Sequence, residues 1–266
     1  MPHISTFRCY PYEDFKGLYG FKGTILAYIY INFIQRFIKY PVSCSFTLNN
    51  LYHINENIKT FTIQNSVDVD QYSLVTLSDR NTYKEKIGFN QQKIFITTGG
   101  VLKRKDPNTL IEAFIKAFDK NENNVLLILG LGNMNEYKKI YGEYKNIYFI
   151  GRVTNITDYL HSADYFISSS ISEGLPNAVL EALSCGLYTI LSDIPQHTEI
   201  VDASLATFFK TKSVESLTQK LLRLPEEYSK EKIRNYIIEN FSSKSMSMKY
   251  QDYYQKVVNE YFKGSR

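Results

Sequence analysis

Two carboxylates, Glu173 and Glu181, stand eight positions apart in the stretch "SEGLPNAVLE", around a Gly-Leu-Pro corner. A carboxylate accepts two hydroxyl hydrogen bonds at once, so such a pair suits the vicinal diols of a ribose or a hexose. Glu173 also has a plainer reading, as a negative charge near a helix N-terminus worth about 0.3–1 kcal/mol. That reading fits Glu181 poorly, because it lies between Leu180 and Ala182 on a mostly apolar helix and must find a partner there. Upstream, Gly99 and Gly100 lead into Lys103, Arg104 and Lys105 just before Asp106-Pro107. Glycines let a backbone approach a ligand closely, and cations beside a helix N-terminus make a place for phosphate. A solvated basic loop is the alternative. Gly130-Leu131-Gly132 is a weaker signal, since tight turns after parallel strands favour glycine anyway. A nicotinamide enzyme calls for G-x-G-x-x-G and an acid ending the next strand. This run is "GLGNMN" and the next strand ends Ile150-Gly151-Arg152, so that reading fails twice. Glu199 in "QHTEIV" reads as a first-turn acid, His197 as a surface or capping histidine, and His161 as structural.

The elements that must position these residues follow from periodicity. From Lys93 onward, short β-branched runs ("KIFITT", "NVLLILG", "NIYFIG", "DYFISSS", "YTILSD") alternate with segments of helical period such as "NTLIEAFIKAF" and "NAVLEALSC". Strands apolar throughout are buried on both faces, as in a parallel sheet. The alternation therefore predicts an α/β fold with a doubly wound, Rossmann-like sheet, whose ligands bind outside the carboxyl ends of the strands. Gly186 closes the helix that carries Glu181. After a strand "ATFFK" come helices in "SVESLTQKLLRL", "SKEKIRNYIIENF" and "MSMKYQDYYQKVVNEYF". Before Lys93, "HISTFR" and "KTFTIQN" read as strands, residues 24–40 as one helix, and "DVDQYSLVTLSDRNTYKEKIGFN" as a polar linker. One complete α/β unit runs from about 70 to 230, preceded by a piece too short for a second.

The 266 residues are 44% hydrophobic and 22% charged, with a net charge of +4. That bias suits phosphate-bearing ligands or an anionic surface but is too weak to argue for nucleic acid. Cys9, Cys44 and Cys185 form no C-x-x-C pair, so they offer neither a disulfide nor a zinc framework and fit a reducing compartment. "MPHISTFRCYPYEDF" has no apolar segment of a secretory signal. The apolar run Ile25 to Ile31 is too short to span a bilayer, which takes roughly 18 residues. With Arg36 and Lys39 near its end, this helix reads as packed in a domain or touching a membrane surface.

Taken in order, "TTGGVLKRKDPNTLIEAF", "LLILGLG", "NIYFIGRV", "SADYFISSSISEGLPNAVLEALSCG" and "HTEIV" resemble the donor half of glycosyltransferase family 4. These are retaining enzymes of the GT-B fold, and bacterial members build lipopolysaccharide O-antigens and capsules. The resemblance covers residues 94–202, and its most specific part is E-x7-E inside S-x-x-E-G-L-P. It implies that Glu173 holds the donor sugar's hydroxyls, with Gly174 and Leu175 near sugar and phosphate and Pro176 and Asn177 beside them. Glu181 would take the ribose diol, and Lys105 would neutralise the diphosphate. Arg104 would stand in for the arginine that many members carry at Gly100, and Arg152-Val153 would sit by the base. Gly99, Gly100, Gly130 and Gly132 complete the donor-binding set, and Glu173, Lys105 and Arg104 the catalytic one.

The same resemblance extends upstream. "FTIQNSVDVDQY" is similar to an N-G-V-D segment with Ser66 in place of glycine, and "STFRCYPYEDF" to an acceptor-domain strand in which Arg8 replaces the family's histidine. The implied layout is an incomplete acceptor domain at 1–70, a nucleotide-sugar domain at 71–230, and helices at 231–266 packing back towards the N-terminal part. The implied reaction moves a hexose from a nucleotide diphosphate sugar to a carbohydrate or lipid-linked glycan, with no cofactor and no metal. Cytoplasmic location is expected, peripheral on the inner face of the membrane, with a separate polypeptide supplying the rest of the acceptor domain and cover for the apolar helix. The rival readings are a non-catalytic nucleotide-sugar-binding remnant, one subunit of a split enzyme, or, more remotely, a sugar-nucleotide epimerase.

Overall fold

Two parallel sheets organise the chain in the computed structural model, which describes residues 2–263. Met1 and residues 264–266, at the outer ends of the expected 1–70 and 231–266 segments, lie outside the described residues. The first sheet holds β1 (Ile4–Phe7), β2 (Tyr40–Ser43) and β3 (Phe61–Thr62), in that spatial order. Helices α1 (Pro11–Tyr19) and α2 (Phe21–Phe33) connect β1 to β2, and α3 (Phe46–Glu56) connects β2 to β3. A polar helix α4 (Leu77–Ile87) leads to the second sheet, whose strands are β4 (Lys93–Thr97), β5 (Asn124–Leu129), β6 (Ile147–Gly151), β7 (Tyr165–Ser168), β8 (Tyr188–Ser192) and β9 (Ala206–Phe209). The crossovers are α5 (Pro107–Phe118), α6 (Met134–Tyr141), α7 (Ile156–Ser162), α8 (Asn177–Ser184) and the short α9 (Pro195–Thr198). The chain closes with α10 (Val214–Leu221), α11 (Lys230–Phe241) and α12 (Ser243–Lys263).

The second sheet runs β6-β5-β4-β7-β8-β9 with every pairing parallel. Its order reverses between β4 and β7, the topological switch point at which doubly wound sheets bind ligands. Both faces are buried, as the unbroken apolar runs predict. Ile94, Ile96, Leu127 and Phe166 pack on one side with Val179, Leu183 and Ile237, while Phe95, Leu126, Ile128 and Ile167 pack on the other with Leu110, Phe114 and Leu217.

Three expectations upstream are corrected. The helix read over 24–40 ends at Phe33, and Tyr40–Ser43 is a central strand. Pro41 is tolerated there because β3 pairs only with Val42 and Ser43, so no ladder bond is lost opposite the missing N–H. The second strand is only Phe61–Thr62. The expected linker contains α4, which buries none of its residues. It is held by its caps, Thr76 and Gly88, and by Arg80 and Lys84, which both pair with Asp164. At the other end, α12 lies on the first sheet, where Tyr253 and Val257 pack with Tyr40, Val42 and Ile63 and the Phe61 and Tyr253 rings stack at 4.4 Å. No helix among the described residues is long and apolar enough to cross a membrane.

Candidate functional site

At the switch point, two loops leave β4 and β7 and are tied together. Ser169 Oγ donates to the carbonyls of Lys105 (2.7 Å) and Asp106 (3.0 Å), and the Ile171 amide donates to the Arg104 carbonyl at 2.8 Å. Lys103–Lys105 form a single helical turn that ends at Asp106, whose side chain caps α5. This turn aims Arg104 and Lys105 back at the β7 loop. The Glu173 carboxylate receives Lys105 Nζ at 2.5 Å and Ser170 Oγ at 2.7 Å on one oxygen, and Arg104 Nη1 at 2.6 Å on the other. Its side chain is only 6% exposed, against 41% for Arg104, so the cations, not water, stabilise its charge.

Burial alone would raise the Glu173 carboxyl, but Lys105 and Arg104 outweigh it and hold the group below the ordinary 4.5. Glu181, on the second turn of α8, goes the other way. Burial raises it, and the Tyr72 hydroxyl and the more distant Lys105 only partly oppose this. The two carboxylates, on a loop and on the helix that follows it, thus have their ionisations pushed in opposite directions. Glu181 does not line the cleft wall beside Glu173, which ends at Ala178. Tyr72 is held by its backbone: Ser184 Oγ and Arg234 Nη1 donate to its carbonyl at 2.6 and 2.7 Å.

The cleft beside Glu173 has a volume of about 290 Å³. One wall is Arg8, Asp14 and Asn65 from the first-sheet side; the other is Arg104, Lys105 and the corner from Glu173 to Ala178, which includes Gly174, Leu175, Pro176 and Asn177. Gly174 is required by closeness, since a Cβ there would lie 2.1 Å from the Arg8 carbonyl oxygen. Asn65 Nδ2 fastens the corner by donating to Leu175 O and Asn177 Oδ1, both at 3.0 Å. Gly99 lies under the aliphatic stem of Lys105. Gly100, at φ +70°, is packed against the next loop, where a Cβ would sit 2.0 Å from Leu131 O. Gly130 and Gly132 face that same loop-to-loop contact rather than the cleft wall. Arg152 and Val153 follow β6, at the edge of the sheet and away from the cleft wall; Arg152 is exposed and Val153 packs on the core. A larger hollow of about 610 Å³, between α3, β3 and α12, is lined by Phe61 and Tyr253 with Lys249, Asp252 and Lys256.

Several participants were read differently, or not at all, from sequence. His197 is fully buried rather than a surface residue. Glu199 is no first-turn acid. It follows α9 and accepts hydrogen bonds from Phe46 N, Thr47 N, Thr47 Oγ1 and Gln64 Nε2 at 2.7–2.8 Å, capping α3 from the other sheet. Asn65 and Ser170 stand in the N-G-V-D-like and S-x-x-E-G-L-P segments, and Tyr72 ends the first of these stretches, but the sequence assigns none of the three a role. Among the described residues, no group of three or more His, Cys, Asp or Glu side chains could hold a metal ion.

With this geometry in place, comparison with known proteins is informative. The family described as "Glycosyl transferases group 1" matches residues 79–243. An uncharacterized glycosyltransferase of Methanocaldococcus jannaschii, MJ1059, is 32% identical over 195 residues, covering 69% of this chain and 46% of that protein. An Escherichia coli UDP-Gal:alpha-D-GlcNAc-diphosphoundecaprenol alpha-1,3-galactosyltransferase is 28% identical over 218 residues, covering 76% of this chain and 56% of that one. The chain thus spans about half the length of these relatives. Among solved structures, HepE of Anabaena, in complex with UDP and glucose, shares the fold with a TM-score of 0.80 at 15% identity, covering 96% of this chain and 71% of that chain. The fold is therefore that of GT-B glycosyltransferases, and the chain belongs to the glycosyl transferases group 1 family.

Proposed function

We propose that this chain is the donor-binding part of a retaining family 4 glycosyltransferase, which moves a hexose from a nucleotide diphosphate sugar to an acceptor hydroxyl in surface-polysaccharide assembly. The observation that carries this reading is the buried Glu173 held between Lys105 and Arg104 at the switch point, with Glu181 on the adjoining helix. An arriving diphosphate competes for the two cations. Glu173 then turns its acceptor oxygens to the sugar hydroxyls, and Glu181 gains hydroxyl donors from the ribose diol. As the anomeric bond breaks, negative charge grows on the departing phosphate, where Lys105, Arg104 and the N-terminus of α8 stabilise it. These groups supply the positive charge, so the reading calls for neither a metal nor a cofactor. Gly99 and Gly100 let the backbone approach the ligand, Gly130 and Gly132 support that loop, and Arg152-Val153 lies towards the base.

The division at 1–70, 71–230 and 231–266 goes with the same reading. The edge of the first sheet at β1 gives an upstream or separate polypeptide a place to extend the acceptor side. The α1–α2 surface exposes Leu18, Phe21, Phe33 and Phe37 among Lys16, Lys22 and Arg36, which suits a peripheral contact with the inner face of the cytoplasmic membrane. A carbohydrate or lipid-linked glycan acceptor fits that placement. A second reading, nucleotide-sugar binding without turnover, is favoured by Arg8 on the cleft wall where the family's histidine is expected. Transfer assays with UDP-sugars, with and without an added N-terminal acceptor domain from a relative, separate the two. Sugar transfer supports the enzyme; donor binding with no transfer in either mixture supports the second reading and overturns the first.

A further inference from the structure

Behind Glu173 runs a buried chain of polar groups that the donor site does not itself explain. His197 is 0% exposed, and its Nδ1 lies 2.8 Å from the carbonyl oxygen of Ser192 and 3.1 Å from that residue's Oγ. Its Nε2 lies 3.2 Å from Ser168 Oγ, which is 3.2 Å from Ser170 Oγ, the hydroxyl that donates to Glu173 Oε1. Ser192 Oγ closes the circuit by donating to the Ser170 carbonyl at 2.6 Å. One imidazole therefore joins the carboxyl ends of β7 and β8 and, through two serines, the carboxylate at the mouth of the cleft.

The protons follow from the partners. A carbonyl oxygen can only accept, so Nδ1 carries the hydrogen. Burial lowers the imidazole to about 4, so the ring is neutral near pH 7 and Nε2 accepts from the Ser168 hydroxyl. Lys105 and Arg104 fix Glu173 only while no ligand claims them. Once a diphosphate does, Ser170 is the remaining protein donor to this carboxylate. With the Ser168 proton on Nε2 and the Ser170 proton on Glu173, the two hydroxyls touch at 3.2 Å without a hydrogen bond. His197 therefore places Ser170 by holding the Ser168 hydroxyl against it and through Ser192 Oγ, which donates to the Ser170 carbonyl.

Resting on the donor-site reading above, we infer that His197 is a positioning residue, which sets Glu173 for recognition of the donor's sugar through Ser168, Ser192 and Ser170. It touches no substrate itself. Its effect falls on the affinity gained from the sugar, not on that gained from the nucleotide. The test is calorimetric titration of the full chain with UDP and with UDP-glucose, comparing the ratio of the two dissociation constants. His197→Asn keeps a donor towards Ser192 and loses the bond to Ser168; Ser168→Ala removes the same link from the other side; His197→Gln restores an acceptor near the Nε2 position. UDP affinity is expected to stay within about twofold in all three variants. The gain from glucose is expected to fall at least fivefold in His197→Asn and Ser168→Ala and to return in His197→Gln.

Folded Ser168→Ala protein with an unchanged glucose gain overturns the proposal, even if His197→Asn fails to fold. Equal weakening of UDP and UDP-glucose also overturns it, because that marks a general loss of structure. Glu173→Gln separates the two levels of argument. If it leaves the glucose gain intact, the donor-site reading itself falls; if it abolishes the gain while the His197 and Ser168 variants do not, only the role of His197 falls.

Discussion

Replacing Glu199 with alanine tests how the two sheets are joined. The carboxylate accepts four hydrogen bonds: Phe46 N at 2.7 Å, Thr47 N at 2.8 Å, Thr47 Oγ1 at 2.7 Å and Gln64 Nε2 at 2.8 Å. Ser45 Oγ already satisfies the Leu48 amide, so Glu199 serves the two amides of α3 that precede it. Loss of a helix cap costs about 0.5–2 kcal/mol, and the charge–dipole contribution adds about 0.3–1. Charged hydrogen bonds run to about 1.5–3 kcal/mol each when buried, but Phe46 is exposed and Glu199 only half-buried, so water replaces much of their strength. The expected destabilisation is about 2–3 kcal/mol for Glu199→Ala and about 1 for Glu199→Gln, which keeps one oxygen acceptor. For a chain of this size each kcal/mol moves the melting point by about 2–4 °C, so the alanine variant should melt about 4–12 °C lower. Hydrogen exchange localises the effect: protection of the Phe46 and Thr47 amides should fall about thirtyfold while that of β5 holds. A melting point within 1 °C of wild type, with both amides still protected, would refute the cross-sheet cap.

Two further outcomes follow from the site. Gly100→Ala forces an alanine to φ +70° and puts its Cβ 2.0 Å from Leu131 O, so a loss of at least about 3 kcal/mol is expected in urea unfolding; a change under about 0.5 would show that the two glycine loops are not locked together. Glu181→Gln should stabilise the chain by about 0.5–2 kcal/mol at pH 7. The sign follows from burial, which raises the Glu181 carboxyl in the fold above 4.5; the penalty for ionising it is absent below that value and complete above the folded one. The gain should therefore disappear as pH falls below about 4.5, and a gain independent of pH would contradict the argument.

The second sheet was legible because its strands are buried on both faces and need no alternation to be recognised. The first sheet was not, because its signals conflict with propensity. Pro41 argues against a central strand, and only the brevity of β3 makes it harmless there. Helix α4 lacks an apolar stripe and is built from caps and ion pairs to Asp164, although Thr76 and Asp79 form a capping pair that could have marked its start. That Glu173, Lys105 and Arg104 come together was legible because their positions bracket strand ends and helix starts. Their supports were missed for a different reason: the partners of His197 lie 5 and 29 residues away and those of Glu199 at least 135, so local pattern carries no trace of them. Both histidine and glutamate also had adequate local explanations, which the tertiary contacts override.

The central proposal is that Lys105, in the cleft at the β4–β7 switch point, and Glu181, on the adjoining helix α8, hold a nucleotide diphosphate. Calorimetric titration of UDP into the wild-type chain, Lys105→Ala and Glu181→Ala tests it most directly, with circular dichroism confirming that each variant is folded. The account predicts one-to-one binding by the wild type and at least a tenfold loss of affinity, about 1.4 kcal/mol, in each variant. Unchanged affinity in both variants would contradict it.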